Sequence, residues 1–301
     1  HACNGNYTLF CFRVEELYLA NVTLGNYCSV DLVYPANPAL NQKKRTETVT
    51  QAQLAFQKGE KLCADNCRFV SRLNLVPVCG AKRALYRKCH FESTDDALNG
   101  NAVYVGCDFD FYGNRPIYQA TGTGAVFIDC IFRSKIKTMG TEAEQYLTKE
   151  GGQVALIDCR YETEGNVPVR VGWTKYPLPS LKCYQYGVVQ NGKPVTLGGD
   201  DSEETVQLQG KKALEAYVFE YEEKRYINIE NLLGGSKGWN PPGEPSISKK
   251  AGKLRIPTFM QLHTDREKIA FGEETIHVTA NVYLFSGEEC QERVDFFLEK
   301  S

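Results

Sequence analysis

The chain has 301 residues, of which 42% are hydrophobic and 24% are charged, and its formal net charge is −2. Such a composition is ordinary for a globular protein, and it excludes a basic field that would collect nucleic acid or an anionic membrane. The chain contains no run of about 18 apolar residues, the length a helix needs to span a bilayer. We therefore expect no nucleic-acid partner and no membrane-spanning segment.

The first half of the chain reads as a series of short strands. Residues 7–34 contain four alternating or apolar runs that are rich in β-branched and aromatic residues and separated by Asn and Gly. Residues 35–48 are polar and contain proline, which predicts a protruding loop. Strands resume at residues 49–56 and follow one another to about Tyr161, without a convincing helical period.

A Cys-x-aromatic motif recurs through this region. Its five copies are Cys67-Arg-Phe69, Cys89-His-Phe91, Cys107-Asp-Phe109, Cys130-Ile-Phe132 and Cys159-Arg-Tyr161, at offsets of 22, 18, 23 and 29 residues. A motif repeated in phase indicates a repeat architecture, whereas a β-sandwich would show hairpin turns. We predict an all-β chain that forms a parallel β-helix, with the five cysteines at the same place in successive coils.

These cysteines predict an internal ladder. Parallel strands stack about 4.8 Å apart, and a free Cys in such a stack behaves as a small apolar side chain. Two alternatives stay open. Twelve cysteines also suggest disulfides in a secreted domain, and a metal site is the least favoured, because no C-x-x-C pair and only four His are present.

The rhythm of short strands changes after Tyr161. Residues 162–182 are rich in Gly and Pro and interrupt the repeat, and strand-like sequence returns in residues 182–189 and 195–197. Residues 213–222 are the segment most typical of a short helix.

The run Trp239–Pro245, WNPPGEP, indicates a domain boundary. Three alternating strands follow it, as in part of a small β-sandwich. We predict two domains. Residues 1–242 form the parallel β-helix, and residues 243–301 form a β-rich immunoglobulin-like module or part of one.

Residues 50–109 resemble the pectinesterase family of carbohydrate esterases. The family blocks Q-A-V-A-L, N-C-R-F and N-C-Y-I-E-G-T-V-D-F-I-F-G-N-A correspond to Gln51–Ala55, Asn66–Phe69 and Lys88–Ala102. Weaker similarity at Tyr146–Lys149, Arg170–Trp173 and Tyr226–Trp239 extends the resemblance over residues 7–242. It implies a right-handed parallel β-helix, the pectin-lyase-like solenoid, and we expect the family's first coil to be missing.

The resemblance also implies site residues. Asp96 corresponds to the family's nucleophile, Gln51 to the amide that stabilises the oxyanion, and Arg170 to the arginine that holds the nucleophile and substrate. The chain departs from the family block Y-Q-D-T-L, where its glutamine is Leu73 and its catalytic acid is Asn74.

Without that acid, the methoxide released from the ester lacks its usual proton donor. Asn74 can bind substrate through hydrogen bonds but cannot transfer a proton, and such transfer is worth roughly 10²–10⁴ in rate. Glu92 shares the strand parity of Asp96 and is the expected substitute if the turn between them preserves that parity. Tyr118 and Trp173 are candidate surfaces for stacking against sugar rings.

The resulting hypothesis is a carboxylic ester hydrolase that acts on methyl-esterified, pectin-like polysaccharide without a cofactor or a metal. We expect it to be secreted, periplasmic or on the cell surface, and to be a piece of a longer chain with further domains. Two alternatives stay open: a weakened or inactive β-helix that binds pectic glycans, and a polysaccharide lyase.

Overall fold

The computed structural model describes residues 8–28, 31–43, 53–71, 80–120, 124–136, 144–165, 167–173, 182–234, 238–245, 247, 257–265, 277–284 and 289–290. The chain divides into two compact units, His1–Leu214 with Pro241–Gly243 and Glu215–Asn240 with Glu244–Ser301. The predicted boundary after residue 242 stays a prediction. No helix in the described part of the chain is long and apolar enough to cross a membrane.

The secondary structure is nearly all β. In chain order the strands are β1 (Phe10–Phe12), β2 (Glu16–Ala20), β3 (Thr23–Asn26), β4 (Ala55–Gln57), β5 (Lys61–Asp65), β6 (Arg68–Ser71), β7 (Arg83–Arg87), β8 (His90–Ser93), β9 (Ala102–Val105), β10 (Asp108–Phe111), β11 (Ala125–Ile128), β12 (Ile131–Ser134), β13 (Gln145–Thr148), β14 (Gln153–Ile157), β15 (Arg160–Glu162), β16 (Val169–Gly172), β17 (Lys182–Tyr186), β18 (Val189–Gln190), β19 (Lys193–Pro194), β20 (Thr205–Gln207), β21 (Val218–Tyr221), β22 (Lys224–Ile227), β23 (Pro257–Thr264), β24 (Val278–Leu284) and β25 (Glu289–Cys290). The helices are a short 3-10 helix (Pro38–Leu40), α1 (Gly210–Leu214) and α2 (Ile229–Leu233).

Two eight-stranded sheets make up most of the first unit. One has the order β2-β5-β7-β9-β11-β14-β17-β20, and the other has the order β19-β18-β15-β12-β10-β8-β6-β3. All neighbours pair in parallel except β18 and β19, which pair antiparallel. Successive strands alternate between the sheets, so each pass through both of them forms one repeat. The all-β class and the parallel strand order predicted from the sequence are confirmed.

A third strip of parallel pairing runs beside the two large sheets. Strand β13 pairs with β16 in the register Tyr146↔Arg170 and Thr148↔Gly172. Single bridges extend this pairing from Thr148 to Ile117 and from Ile117 to Leu98. We call residues 96–98, 115–118, 145–149 and 169–173 the third strip, and they carry most of the residues of the candidate site.

One residue with positive φ separates the two large sheets in each repeat. These residues are Asn21, Asn66, Lys88, Gly106, Asp129, Asp158 and Gly187, with φ between 47° and 64°. Asn, Asp and Gly adopt this left-handed conformation at low cost. The residue before each motif cysteine is therefore a one-residue turn, and the cysteine side chain that follows it enters the core.

The predicted cysteine ladder is confirmed. The five motif cysteines follow the left-handed residues, are free thiols and are almost completely buried. Each sulfur lies 3.2–3.6 Å from at least one main-chain carbonyl oxygen. Because all five thiols are buried and free, the ladder acts as packing material made of small apolar side chains.

Aromatic stacks run through the core beside the cysteines. The rings of Tyr86, Tyr104 and Phe127 stack with centroid separations of 4.9 and 4.7 Å. Phe91 stacks on Phe109 at 4.9 Å in the neighbouring sheet. These separations match the spacing between parallel strands, and the stacks hold successive repeats in register beneath the third strip.

The second unit contains a hairpin of β21 and β22, helix α2 and a three-stranded antiparallel sheet of β23, β24 and β25. The helix predicted over residues 213–222 is wrong, because α1 ends at Leu214 and Val218–Tyr221 is a strand. Glu222 and Glu223 close the hairpin with φ of 48° and 60°. Two glutamates are unusual in a turn that normally selects Asn and Gly, so the sequence carried no signal for it.

Candidate functional site

Asp96 lies in the turn that follows strand β8 and leads into the third strip. It adopts a left-handed conformation with φ of 56°, which Asp tolerates better than most residues. Its main-chain N–H donates to the carbonyl of Arg115 at 2.8 Å, and Leu98 pairs with Ile117 two residues later. These contacts therefore hold the backbone of Asp96 at the edge of the third strip.

Lys149 provides a positive charge beside Asp96. Its Nζ lies 3.5 Å from Asp96 Oδ2, and the two side chains are only 22% and 15% exposed, respectively. Lys149 directly follows β13, where its main-chain N–H donates to the carbonyl of Ile117 at 2.8 Å. Its Nζ also lies 5.1 Å from the centroid of the Tyr118 ring, within the range of a cation–π interaction. The third strip thus brings Lys149 and Tyr118 to the nucleophile candidate.

Burial raises the pKa of Asp96 above its ordinary value. Lys149 lowers this pKa, the charge of Asp95 raises it, and Arg115 lowers it. Asp96 Oδ1 is inaccessible and has no hydrogen-bond partner in the part of the chain that the structure describes. An unsatisfied buried carboxylate oxygen is costly for stability, and such perturbed carboxyl groups are concentrated at functional sites.

Asp95, the neighbouring carboxylate, is held by Arg115. Its Oδ1 accepts from the main-chain N–H of Arg115 at 2.8 Å, and its Oδ2 accepts from Arg115 Nη2 at 2.7 Å. The Arg115 guanidinium lies 4.0 Å from the centroid of the Trp173 ring. A Cβ at Gly113 would lie 2.5 Å from Asp95 Oδ1, so only glycine allows this close approach. Together these contacts clamp the turn that carries Asp96.

Unsatisfied polar atoms are concentrated around this turn. Within the described residues, five buried side-chain atoms near Asp96 have no hydrogen-bond partner: Ser93 Oγ, Thr94 Oγ1, Asp96 Oδ1, Asn99 Nδ2 and Arg115 Nε. Buried polar groups are normally paired, and each exception calls for an explanation such as a bound water, a ligand or a catalytic role. This concentration marks residues 93–99 and Arg115 as the polar centre of the candidate site.

The structure does not bring Arg170 to Asp96. Arg170 Nε lies 2.6 Å from Glu144 Oε1, and Glu144 also accepts a hydrogen bond from the hydroxyl of Tyr146. In the register of the third strip, Asp96 is followed by Arg115, Tyr146 and then Arg170. Three strand spacings correspond to about 14 Å. Lys149 occupies the place beside the carboxylate that the resemblance assigned to Arg170.

Glu92 is also engaged elsewhere. It lies on β8, where its carboxylate pairs with Arg68 and lies 3.7 Å from His90 Nε2. The turn after Ser93 and the positive φ of Asp96 break the strand parity that would have placed both carboxylates on one face. The condition attached to Glu92 as a substitute acid is therefore not met.

Tyr118 and Trp173 do lie in the third strip, next to Lys149 and Arg115 respectively. Gln51, Leu73 and Asn74 lie outside the described residues, so the roles expected of them stay predictions.

Arg115 and Lys149 are the site residues that the sequence reasoning missed. Lys149 belongs to the segment Tyr146–Lys149, whose weak family resemblance assigns it no role. Arg115 carries no motif. Both residues reach the Asp96 turn through parallel pairing in the third strip and not through proximity in the sequence. Only an alignment of successive repeats along that strip could have identified them.

Within the described residues, no group of three His, Cys, Asp or Glu side chains is arranged to hold a metal ion. The site consists of one half-buried carboxylate, one ammonium group, one clamped Asp–Arg pair and two aromatic rings. No family model, no curated protein and no solved structure matches this chain.

Proposed function

We propose that the first unit is a right-handed parallel β-helix that hydrolyses methyl esters of a pectin-like acidic polysaccharide, with Asp96 as the nucleophile. The regular alternation of strands between two parallel sheets supports the β-helix. The three-stranded sheet of the second unit belongs, in this proposal, to a β-sandwich-like module. Such an enzyme acts where it meets its polymer, as a secreted, periplasmic or cell-surface protein.

The observation that carries the proposed chemistry is the Asp96–Lys149 pair. A carboxylate nucleophile must be ionised and fixed in direction. Lys149 favours the ionised form and holds Oδ2, and the main-chain bond to Arg115 holds the backbone of Asp96 in place. Attack on the ester carbonyl by Asp96 then gives an oxyanion, which Gln51 is expected to stabilise. Loss of one such donor typically costs about 10²–10³ in rate.

The aromatic rings beside the charged groups fit a sugar polymer. Tyr118 lies next to Lys149 and Trp173 next to Arg115, so each ring adjoins a cation. Sugar rings present apolar faces to aromatic side chains and carboxylates to cations, and a uronic acid polymer offers both. This pairing favours an acidic polysaccharide over a neutral one.

A glycan-binding protein without turnover is the second candidate. Its specific support is the combination of Asn74 at the position of the family acid with an Asp96 whose pKa is raised by burial. The binding surface would be the same, but the ester bond would stay intact.

Methanol release from methyl-esterified polygalacturonate tests the proposal. We expect release by the wild type and its loss in Asp96→Ala, with unchanged activity in Arg133→Gln, a variant on the outer face of β12. Binding of pectin fragments without methanol release would support the second candidate. Equal rates in the wild type and Asp96→Ala would remove Asp96 from the mechanism, and calcium-dependent unsaturated products would indicate a lyase.

A further inference from the structure

The reaction proposed for Asp96 lacks a proton donor at the position that the family uses. Cleavage of a methyl ester expels methoxide, a poor leaving group that needs a proton as the bond breaks. Asn74 cannot provide one, and Glu92 is committed to Arg68 and His90. Another proton-bearing group must therefore lie beside Asp96 if the reaction proceeds.

Three charged side chains of the described residues act on the Asp96 carboxyl group: Lys149, Asp95 and Arg115. Arg115 is excluded as a donor, because a guanidinium does not lose its proton in proteins. Asp95 is excluded as well, since both of its oxygens accept hydrogen bonds from Arg115. Lys149 remains, with an ammonium that carries three protons.

We infer that Lys149 is a catalytic residue, the proton donor to the leaving methoxide and then the base that activates water. This role rests on the function proposed above. Its geometric basis is the 3.5 Å separation of Lys149 Nζ from Asp96 Oδ2, the oxygen that has a described partner. A group in contact with the attacking oxygen also lies near the ester carbon and the oxygen that departs from it.

The first half-reaction balances with these two residues alone. Asp96 Oδ2 attacks the ester carbonyl, and the tetrahedral oxyanion collapses to an Asp96 anhydride as the carbon–methoxide bond breaks. Lys149 donates one proton to the methoxide, so methanol leaves and Lys149 becomes a neutral amine. The negative charge of Asp96 is consumed in the same step.

The charge of the pair changes in the same step. Before the reaction, Lys149 Nζ lies 3.5 Å from the Oδ2 oxygen of the Asp96 carboxylate, and formation of the anhydride removes the negative charge from a side chain that is only 15% exposed. The proton that Lys149 gives to the methoxide therefore leaves a site that no longer holds the opposite charge.

The second half-reaction restores both groups. Neutral Lys149 takes a proton from a water molecule as the water attacks the carbonyl carbon of the bound uronyl group. The anhydride breaks, Asp96 leaves as the carboxylate, and the uronic acid then gives its own proton to the solvent. The recovered Asp96–Lys149 ion pair matches the pair seen in the structure.

Replacement of Lys149 by arginine separates proton transfer from charge. Lys149→Arg keeps a cation beside Asp96 and Tyr118 but cannot give up a proton. Two substrates are compared: a methyl ester of oligogalacturonate, and the p-nitrophenyl ester of the same uronic acid, whose leaving group needs no proton. The activated ester also reports whether the variant is folded.

We expect Lys149→Arg to lose about 10²–10⁴-fold in methanol release and less than about tenfold in the initial burst of p-nitrophenol, which reports formation of the anhydride before the water attack that Lys149 assists. Methanol release within a few-fold of wild type would overturn the role of Lys149, and so would a loss in the p-nitrophenol burst equal to the loss in methanol release. These outcomes leave the proposed function standing as long as Asp96→Ala abolishes both activities. Failure of the wild type on both esters would overturn the proposed function together with this inference.

Discussion

Asp95 and Asp96 are adjacent carboxylates in the turn after β8. Replacement by Asn should change the stability of the fold in opposite directions at the two positions. Asp96 is half-buried with one unsatisfied oxygen, and burial raises its pKa. Asp95 has both oxygens paired with Arg115. We predict that Asp96→Asn stabilises the fold at pH 7, whereas Asp95→Asn destabilises it.

The magnitudes follow from these contacts. A buried polar atom without a partner costs about 1–3 kcal/mol, and more when its group is charged. Asn at position 96 keeps the unpaired atom but avoids the additional cost of the charge, and loss of the partly exposed Lys149 ion pair offsets this gain by about 0.2–1 kcal/mol. Because Asn also fits a positive φ, Asp96→Asn should gain about 1 kcal/mol in the free energy of unfolding. Loss of the charge-assisted bonds at Asp95 should cost about 1–2 kcal/mol after discounting for solvent exposure.

The pH dependence gives an independent check on the same prediction. A carboxyl group whose pKa is raised by folding binds its proton more tightly in the folded state, so the destabilising charge of Asp96 disappears as pH falls through that pKa. The advantage of Asp96→Asn should therefore be full at pH 7 and should shrink toward about pH 3–4.

Urea unfolding of the wild type and the two variants at pH 7 and pH 4 measures these differences. The m-values should match, so that the midpoints report stability. A destabilised Asp96→Asn at pH 7, or an advantage that does not depend on pH, would refute the assignment of Asp96 as a strained and functional carboxylate.

Three further predictions concern single turns of the fold. Lys88 has a positive φ of 51° where the other repeats have Asn, Asp or Gly. Lys88→Asn should therefore raise the free energy of unfolding, measured in urea, by about 0.5–1 kcal/mol. A lower free energy of unfolding would contradict the turn geometry. Gly106→Ala is the converse test, because a Cβ there would lie 4.0 Å from Lys88 Cγ and meet no closer atom. The substitution should lower the free energy of unfolding by about 1 kcal/mol through backbone strain alone. An unchanged free energy of unfolding would argue against that strain. In the second unit, the double change Glu222→Asn and Glu223→Gly should slow hydrogen exchange in β21 and β22 and stabilise the hairpin by about 1 kcal/mol, whereas faster exchange would count against a two-residue turn.

The repeated part of the fold could be predicted because its cause is visible in the sequence. Each Cys-x-aromatic motif places a small buried side chain and a ring at fixed distances after a one-residue turn, and the same physical requirement recurs in every repeat. Hairpin β21–β22 could not be predicted. Its turn residues, Glu222 and Glu223, are not the Asn and Gly that such a turn prefers. The hairpin forms because Val218 and Phe219 are buried in the second unit.

The site could be predicted only in part for a similar reason. Asp96 lies within a motif of consecutive residues, so its candidacy was visible in the sequence. Lys149 and Arg115 reach the same turn from later repeats, through pairings in the third strip that depend on the lengths of the intervening segments. Arg170 was placed beside Asp96 by a motif match, but the register sets it three strands away.

A search for the covalent intermediate tests the proposed role of Asp96 most directly. The protein is mixed with methyl-esterified oligogalacturonate, quenched within one turnover and digested, and the peptide that contains Asp96 is weighed by mass spectrometry. We predict a uronyl group on that peptide in the wild type and its absence in Asp96→Asn. Methanol release at the wild-type rate from Asp96→Asn, with no uronyl group on this peptide in either protein, would contradict it.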